Sequence, residues 1–206
     1  MVFLHAAKGP GPLCRSRIVA IGCLVAVSMT LPAMGNDWDN SSGDAQWSNA
    51  VNWSGNLEPH SGTSALFPAG FPNGDTIIRL STGENAVLVS FGDNYRLANP
   101  FTFPAVDTAT LTLGSGVVHA SAGVAASIQV RLFSNAGLNK IGTGSVSLSR
   151  TTTISGKVDA DAGTLIFNSG GIVSSNEGLI AEAVGSVAVV TLDGASARWT
   201  ITGTFF

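Results

Sequence analysis

Charge is scarce in this sequence: only 11% of its 206 residues are Asp, Glu, Lys or Arg, with 10 basic residues against 13 acidic. There is no basic block, so the Lys/Arg footprint that phosphate backbones require is missing and nucleic acid is excluded as a partner. Long apolar runs are almost as scarce. One stretch, Ile18–Leu31, approaches the length of a membrane-spanning helix, but at 14 residues it falls short of one. Cysteine occurs twice, at Cys14 and Cys23, both ahead of Leu31. No His-x-His, His-x-x-x-His or Gly-x-Ser-x-Gly spacing occurs, so the usual metal and nucleophile signatures are absent. Mean hydropathy is nevertheless positive, which excludes a disordered chain.

The first 35 residues have the layout of an export signal. Lys8, Arg15 and Arg17 form a positive start without an acidic residue, Ile18–Leu31 forms the apolar core, and Pro32 ends it. Ala33 and Gly35 place small residues where a signal peptidase requires them, so cleavage is expected after Gly35. Ala20-Ile21-Gly22-Cys23 loosely matches a lipoprotein box, but only five residues separate Arg17 from Cys23, too few for an apolar core. Removing residues 1–35 takes both cysteines and three basic residues, leaving 7 basic against 13 acidic. The mature chain then has neither disulfides nor cysteine-ligated metal. It is expected to be secreted and to draw its stability from a regular hydrogen-bonded core. No membrane span remains in it.

Beyond residue 35 the chain consists of short runs, apolar at alternate positions, separated by Gly, Asn, Asp and Ser. The expected strands are Thr76–Leu80, Ala86–Ser90, Thr110–Leu113, Ser145–Ser149, Gly163–Phe167 and Val187–Leu192. Turns are expected at Asn73-Gly74, Gly92-Asp93-Asn94, Gly114-Ser115-Gly116 and Asp193-Gly194. Ala122–Val130 and Asn176–Val184 are the only helical candidates, both short and poorly capped. From Leu111 onward strand centres recur every ten to twenty residues or so, irregularly, and the outward positions are Ser and Thr rather than charged. That pattern favours an all-β chain wound as a parallel β-solenoid, with a β-sandwich as the alternative.

Two stretches carry a family pattern. Trp38-Asp39, Trp47-Ser48-Asn49-Ala50-Val51-Asn52-Trp53-Ser54 and Pro59–Phe67 resemble the opening of exported bacterial proteins with autotransporter-associated β-strand repeats, departing from it at Thr63, where Asp is usual. Ala136–Ser149, followed by Asp161-Ala162-Gly163-Thr164-Leu165, resembles the repeat itself, Gly-Leu-x-Lys-x-Gly-x-Gly-x-Leu-x-Leu. Gly185–Gly203 is similar to a further passenger-type repeat. The resemblance covers about half of the mature chain. It implies a right-handed β-helix in a passenger-like protein, exported and displayed at the surface of a Gram-negative-type bacterium, structural or adhesive, without catalytic residues or cofactor. The membrane barrel and the sorting helix of such proteins are missing from the sequence, which gives the expectation of a truncated member. The domain expectation is a signal peptide at 1–35, a Trp-rich cap at 36–70 and solenoid repeats at 71–206.

Chemistry-bearing residues are few. Trp38, Trp47 and Trp53 lie among Asn and Asp, the setting in which indole faces stack pyranose rings, so a surface or matrix glycan is a candidate partner. The competing reading is that they close the open first coil, whose uncovered edge would otherwise invite end-to-end self-association. Asp159 and Asp161, two apart on a strand, would face the same way, as a metal or acid/base pair does. They also suit the polar turn before Gly163. His60 and His119 stand alone. Gly114-Ser115-Gly116 and Gly142-Thr143-Gly144 lack the lysine and the adjoining helix of a phosphate loop. Arg79, Arg96, Arg131, Arg150, Arg198, Lys140 and Lys157 are dispersed, unlike the clustered groups of a polysaccharide-cleaving β-helix.

Overall fold

Val146 and Leu148 are buried while Ser145 and Ser147 between them are not, and this two-residue alternation is what winds the chain into coils. The structure, a computed structural model, describes residues 35–71, 76–81, 83–99, 109–182 and 185–205. These all belong to the second of two compact units, Pro32–Phe206. The expected signal segment up to residue 34, with Cys14 and Cys23, lies outside the described residues, as does the Asn73-Gly74 turn.

Seventeen strands are described, in chain order. The first six are β1 (Gly35–Asp37), β2 (Ser64–Phe67), β3 (Ile77–Arg79), β4 (Gly83–Phe91), β5 (Arg96–Ala98) and β6 (Thr110–Ala120). Three coils of three strands come next. They are β7 (Ala125–Gln129), β8 (Arg131–Ser134) and β9 (Leu138–Ile141); then β10 (Ser145–Leu148), β11 (Thr152–Ile154) and β12 (Lys157–Ala160); then β13 (Gly163–Phe167), β14 (Ile172–Ser175) and β15 (Glu177–Ile180). The last coil holds β16 (Ala188–Leu192) and β17 (Arg198–Ile201), and Phe205 bridges back to Gly178.

Every pairing between these strands is parallel. One sheet runs β3-β5-β7-β10-β13-β16; the other runs β1-β2-β4-β6-β8-β11-β14-β17, with β9, β12 and β15 branching from β6. The branch point is a corner. Thr110–Thr112 of β6 pair with β8, whereas Val117–His119 pair with β9. Each coil therefore has three sides, and strand lies on strand through about 6 turns. This is a parallel β-solenoid, 54% strand. A sandwich is excluded, since its sheets are built from antiparallel strands.

Ser145 pairs with Ala125 on one side and Thr164 on the other, so a middle coil takes about twenty residues. The core is a set of stacked rows. One row is Ile78, Leu97, Ile128, Leu148, Phe167 and Leu192 in successive coils. Its first five members are buried, and Leu192 is open on the last coil. The outward hydroxyl rows are present but interrupted: Thr112, Thr153, Ser174 and Thr200 share a row with Phe133.

The six expected strands all exist, at Ile77–Arg79, within Gly83–Phe91, at the start of Thr110–Ala120, and at β10, β13 and β16. Three expectations need correction. Gly114-Ser115-Gly116 is not a turn between strands but the corner inside β6, with Gly116 at φ 70°. Ala122–Val130 contains β7, and the described part of Asn176–Val184 contains β15. Neither is helical, because pairing with strands on both sides outweighs weak local helix preference. Corner glycines permit the close stacking. A Cβ on Gly142 (φ 75°) would lie 2.3 Å from the Ala120 carbonyl oxygen, and one on Gly163 (φ 69°) would lie 2.2 Å from that of Gly144.

Candidate functional site

Between β1 and β2 the chain loops over the first coil and carries Trp38, Trp47 and Trp53 inward. They are 1%, 0% and 0% exposed. Trp53 sits in the middle, 4.9 Å from both Trp38 and Trp47 in edge-on geometry. Phe67 of β2 touches all three rings and stacks on Phe91 of the next coil at 5.3 Å. Trp53 donates its Nε1–H to the Trp47 carbonyl at 2.7 Å. The indole N–H groups of Trp38 and Trp47 are buried without a partner. With no indole face open to water, the cluster offers no platform for a pyranose ring.

A polar lattice holds the loop in place. Asn52 is buried and uses its amide fully: Oδ1 accepts from Ser42 N and Oγ, and Nδ2 donates to Asp44 Oδ1 and the Gln46 carbonyl. Asp44 also accepts from Gln46 N and Asn49 Nδ2. Burial by itself would raise the Asp44 pKa, but these donors outweigh it and hold the carboxyl down at about 2. A carboxyl lowered on folding contributes stability above its unfolded value of about 3.8 and loses that contribution as pH falls toward 2. Acid titration from pH 4 to 2 is therefore expected to shift indole emission to the red. Asp44→Asn should lack much of this acid dependence. An emission maximum flat across that window in the parent protein would contradict it.

A second buried constellation went unnoticed as a site in the sequence. Lys140 of β9 is 0% exposed. Its inward position follows from parity, since Leu138 and Lys140 share a face and Val118 and Ala160 are its neighbours in the adjacent coils. Its Nζ donates to the carbonyls of Ile141, Gly142 and Ala162 at 3.0, 2.7 and 3.0 Å. Burial pushes its pKa down to about 8, so at neutral pH it still carries the three donors that three carbonyls require. The ammonium thus joins the corner after β9 to the corner after β12. The one signal available was the lone lysine within the Gly-Leu-x-Lys-x-Gly pattern.

The remaining candidates are structural or surface groups. Asp159 points outward from β12, ion-paired to Lys157 at 2.7 Å and 2% exposed, while Asp161, just beyond the strand, accepts from Asn139 Nδ2 at 3.0 Å. His60 holds a turn: its N–H donates to Thr63 Oγ1 and its Nδ1 accepts from Gly62 N. Thr63 thereby supplies the side-chain oxygen that closes this turn. His119 Nδ1 lies 2.9 Å from Ser90 Oγ, its register partner in the coil before. Burial, then the Lys140 charge, lower its pKa. Ser115 Oγ donates to the Val87 carbonyl, tying a corner to the preceding coil. Among the described residues no three His, Cys, Asp or Glu side chains gather to hold a metal, and no helix is long and apolar enough to cross a membrane.

The fold defines the class as a parallel β-solenoid, with an aromatic cluster buried against its first strands. Comparison with family models, with curated proteins and with solved structures finds no match.

Proposed function

We propose that this chain is an exported, non-enzymatic structural solenoid of a Gram-negative-type bacterium, passenger-like and related to proteins with autotransporter-associated β-strand repeats. It acts at the cell surface or in the surrounding matrix, in adhesion or as a spacer. The observation that carries the reading is where the chemically distinctive side chains go. The three tryptophans and Lys140 turn inward and bind coil to coil, while the rows facing solvent are mainly hydroxyl and small side chains. A cysteine-free ladder of this kind suits an exported rod, because each coil is stabilised by its neighbours. A glycan or matrix polymer met along the outer rows is the expected partner.

Expression of the full chain in a Gram-negative host tests the reading. The protein is expected in the envelope or the medium with Asn36 as its first residue. Asn36 is the second residue of β1 and pairs with Ala65, so this start removes Gly35 and its pairing with Ser64 but keeps the pairings of Asn36 and Asp37. A chain retained in the cytoplasm with Met1, or one lipidated at Cys23, would overturn the proposal.

A further inference from the structure

Resting on the reading that a glycan meets the outer rows, we propose that the outer face of β8 is where it docks and that this glycan is acidic. Phe133 stacks against a pyranose ring, and Arg131 takes the carboxylate of a uronate. Leu132 and Ser134 are buried, so Arg131 and Phe133 share the outward face of β8, roughly 7 Å apart along the strand. In the coil before, Thr110 and Thr112 pair with Arg131 and Phe133. In the coil after, Thr153 pairs with Phe133, and Thr151 stands beside Arg131 because Thr152 pairs with Leu132. Strands in adjacent coils lie about 4.8 Å apart, so hydroxyls flank both side chains on either side.

These side chains enclose space as well as sharing a face. Thr110, Arg131, Leu132, Phe133, Thr151 and Thr153 line an open groove of about 460 Å3, within the size range of small-ligand sites. Phe133 breaks an outward row otherwise made of Thr112, Thr153, Ser174 and Thr200. An outward, half-buried ring gains less from burial than an inward one does. Beside hydroxyl groups it is the kind of contact that holds the apolar face of a pyranose.

Charge selects among sugars. Arg131 is exposed, and among the described residues no carboxylate pairs with it. The outward positions of β8, β11, β14 and β17 hold Arg131 and Arg198 and neither Asp nor Glu, although acidic residues outnumber basic ones in the chain. Arg198 belongs to the same row as Arg131. Thr151 stands beside Ile172, and Ile172 pairs with Arg198. Three coil steps put the two arginines about 14 Å apart, a span that suits an oligosaccharide rather than a single sugar. Arg198 Nε donates to Thr200 Oγ1 at 3.1 Å, which holds that side chain along the face. A guanidinium fork takes a planar carboxylate through two parallel N–H···O bonds, so a uronate is the sugar this pair fits.

The test is isothermal titration calorimetry of the full chain at pH 7 and low salt. The probes are an oligogalacturonate and its methyl-esterified form, which keeps the rings and loses the charge. The acidic probe should bind, and the ester should bind at least about tenfold more weakly. Arg131→Gln should weaken the acidic probe by about tenfold or more, as loss of a charge-assisted contact does, and should abolish the discrimination between the probes. Its thermal midpoint should match the parent's, because the side chain faces water. Phe133→Ala should weaken both probes, and Phe133→Tyr should keep them. Arg198→Gln should weaken a long oligogalacturonate and leave a disaccharide unchanged. A parent that binds no oligogalacturonate would overturn the site, as would an Arg131→Gln variant that binds it as well as the parent does. Preference for a sulfated dextran of equal length would overturn the uronate assignment. None of these outcomes touches the exported rod, which stands or falls on the location and first residue of the expressed protein.

Discussion

Trp53→Ala is expected to destabilise the solenoid by about 5 kcal/mol and Trp47→Ala by about 3–4 kcal/mol, the range of buried aromatic truncations. Trp53 loses more because its ring meets both other indoles and Phe67, and because it donates to the Trp47 carbonyl. Truncating Trp47 removes an N–H that is buried without a partner, which offsets part of the lost packing. The phenylalanine variants sharpen the contrast, since Trp47→Phe should cost clearly less than Trp53→Phe. Chemical denaturation followed by far-UV circular dichroism measures both series. Either alanine variant should also self-associate, because the first coil then presents its strand edge and apolar interior. The indoles have no face for a sugar, so the parent protein should retain no glycan at this cluster. Unchanged stability in both alanine variants, accompanied by lost glycan retention, would remove the capping account.

Lys140→Met is expected to cost about 2–4 kcal/mol, as when buried acceptors lose the donor they share. Methionine keeps the length and apolar stem of the side chain, so the loss isolates the ammonium. Three carbonyl oxygens at two successive corners, those of Ile141, Gly142 and Ala162, would be left without their shared donor. Lys140→Arg should not restore stability, because a planar fork cannot converge on the three oxygens that a compact ammonium serves. Differential scanning calorimetry of the three proteins checks this. A midpoint for Lys140→Met within a degree of the parent would show the ammonium to be incidental to the stack.

The two variants fail in different places. Loss of the aromatic closure opens the first coil, and unfolding should spread from there. Loss of Lys140 weakens a step in the middle of the array, where coils on both sides remain intact. In a structure whose units touch only their neighbours, stability is close to a sum of coil and interface terms. Hydrogen exchange should therefore map each variant's weakness to its own coils.

Alternation over four or more residues was enough to show strands such as Gly163–Phe167, and hydroxyls at the alternate positions were enough to favour a solenoid over a sandwich. Several strands of three or four residues stayed hidden, although β3 and β10 were legible within slightly longer alternating runs. Thr152–Ile154 is strand because Leu132–Ser134 and Val173–Ser174 flank it, and a run that short has too few alternations to carry a period. The same cause explains β7 and β15, whose local sequence read as helix until neighbours on both sides supplied their hydrogen bonds. Coil length was obscured as well, because only one side of the middle coils carried a legible strand.

At the candidate sites the division is similar. That Trp38, Trp47 and Trp53 act together was legible from their spacing, and so was the choice between closure and sugar platform. Their burial counts against the sugar platform, and burial depends on Phe67 and Phe91 arriving from other coils. The parity that turns Lys140 inward was written in Leu138-Asn139-Lys140, but the three carbonyls that make an inward ammonium tolerable come together only when two corners stack. Asp159 shows the limit most clearly. Its sequence neighbour of interest was Asp161, yet its register partner is Asn139, twenty residues earlier. Sequence determines which face of a strand a residue takes, because alternation is local. Which residues become neighbours across coils is decided by the length of every turn between them, and only the wound chain adds those up.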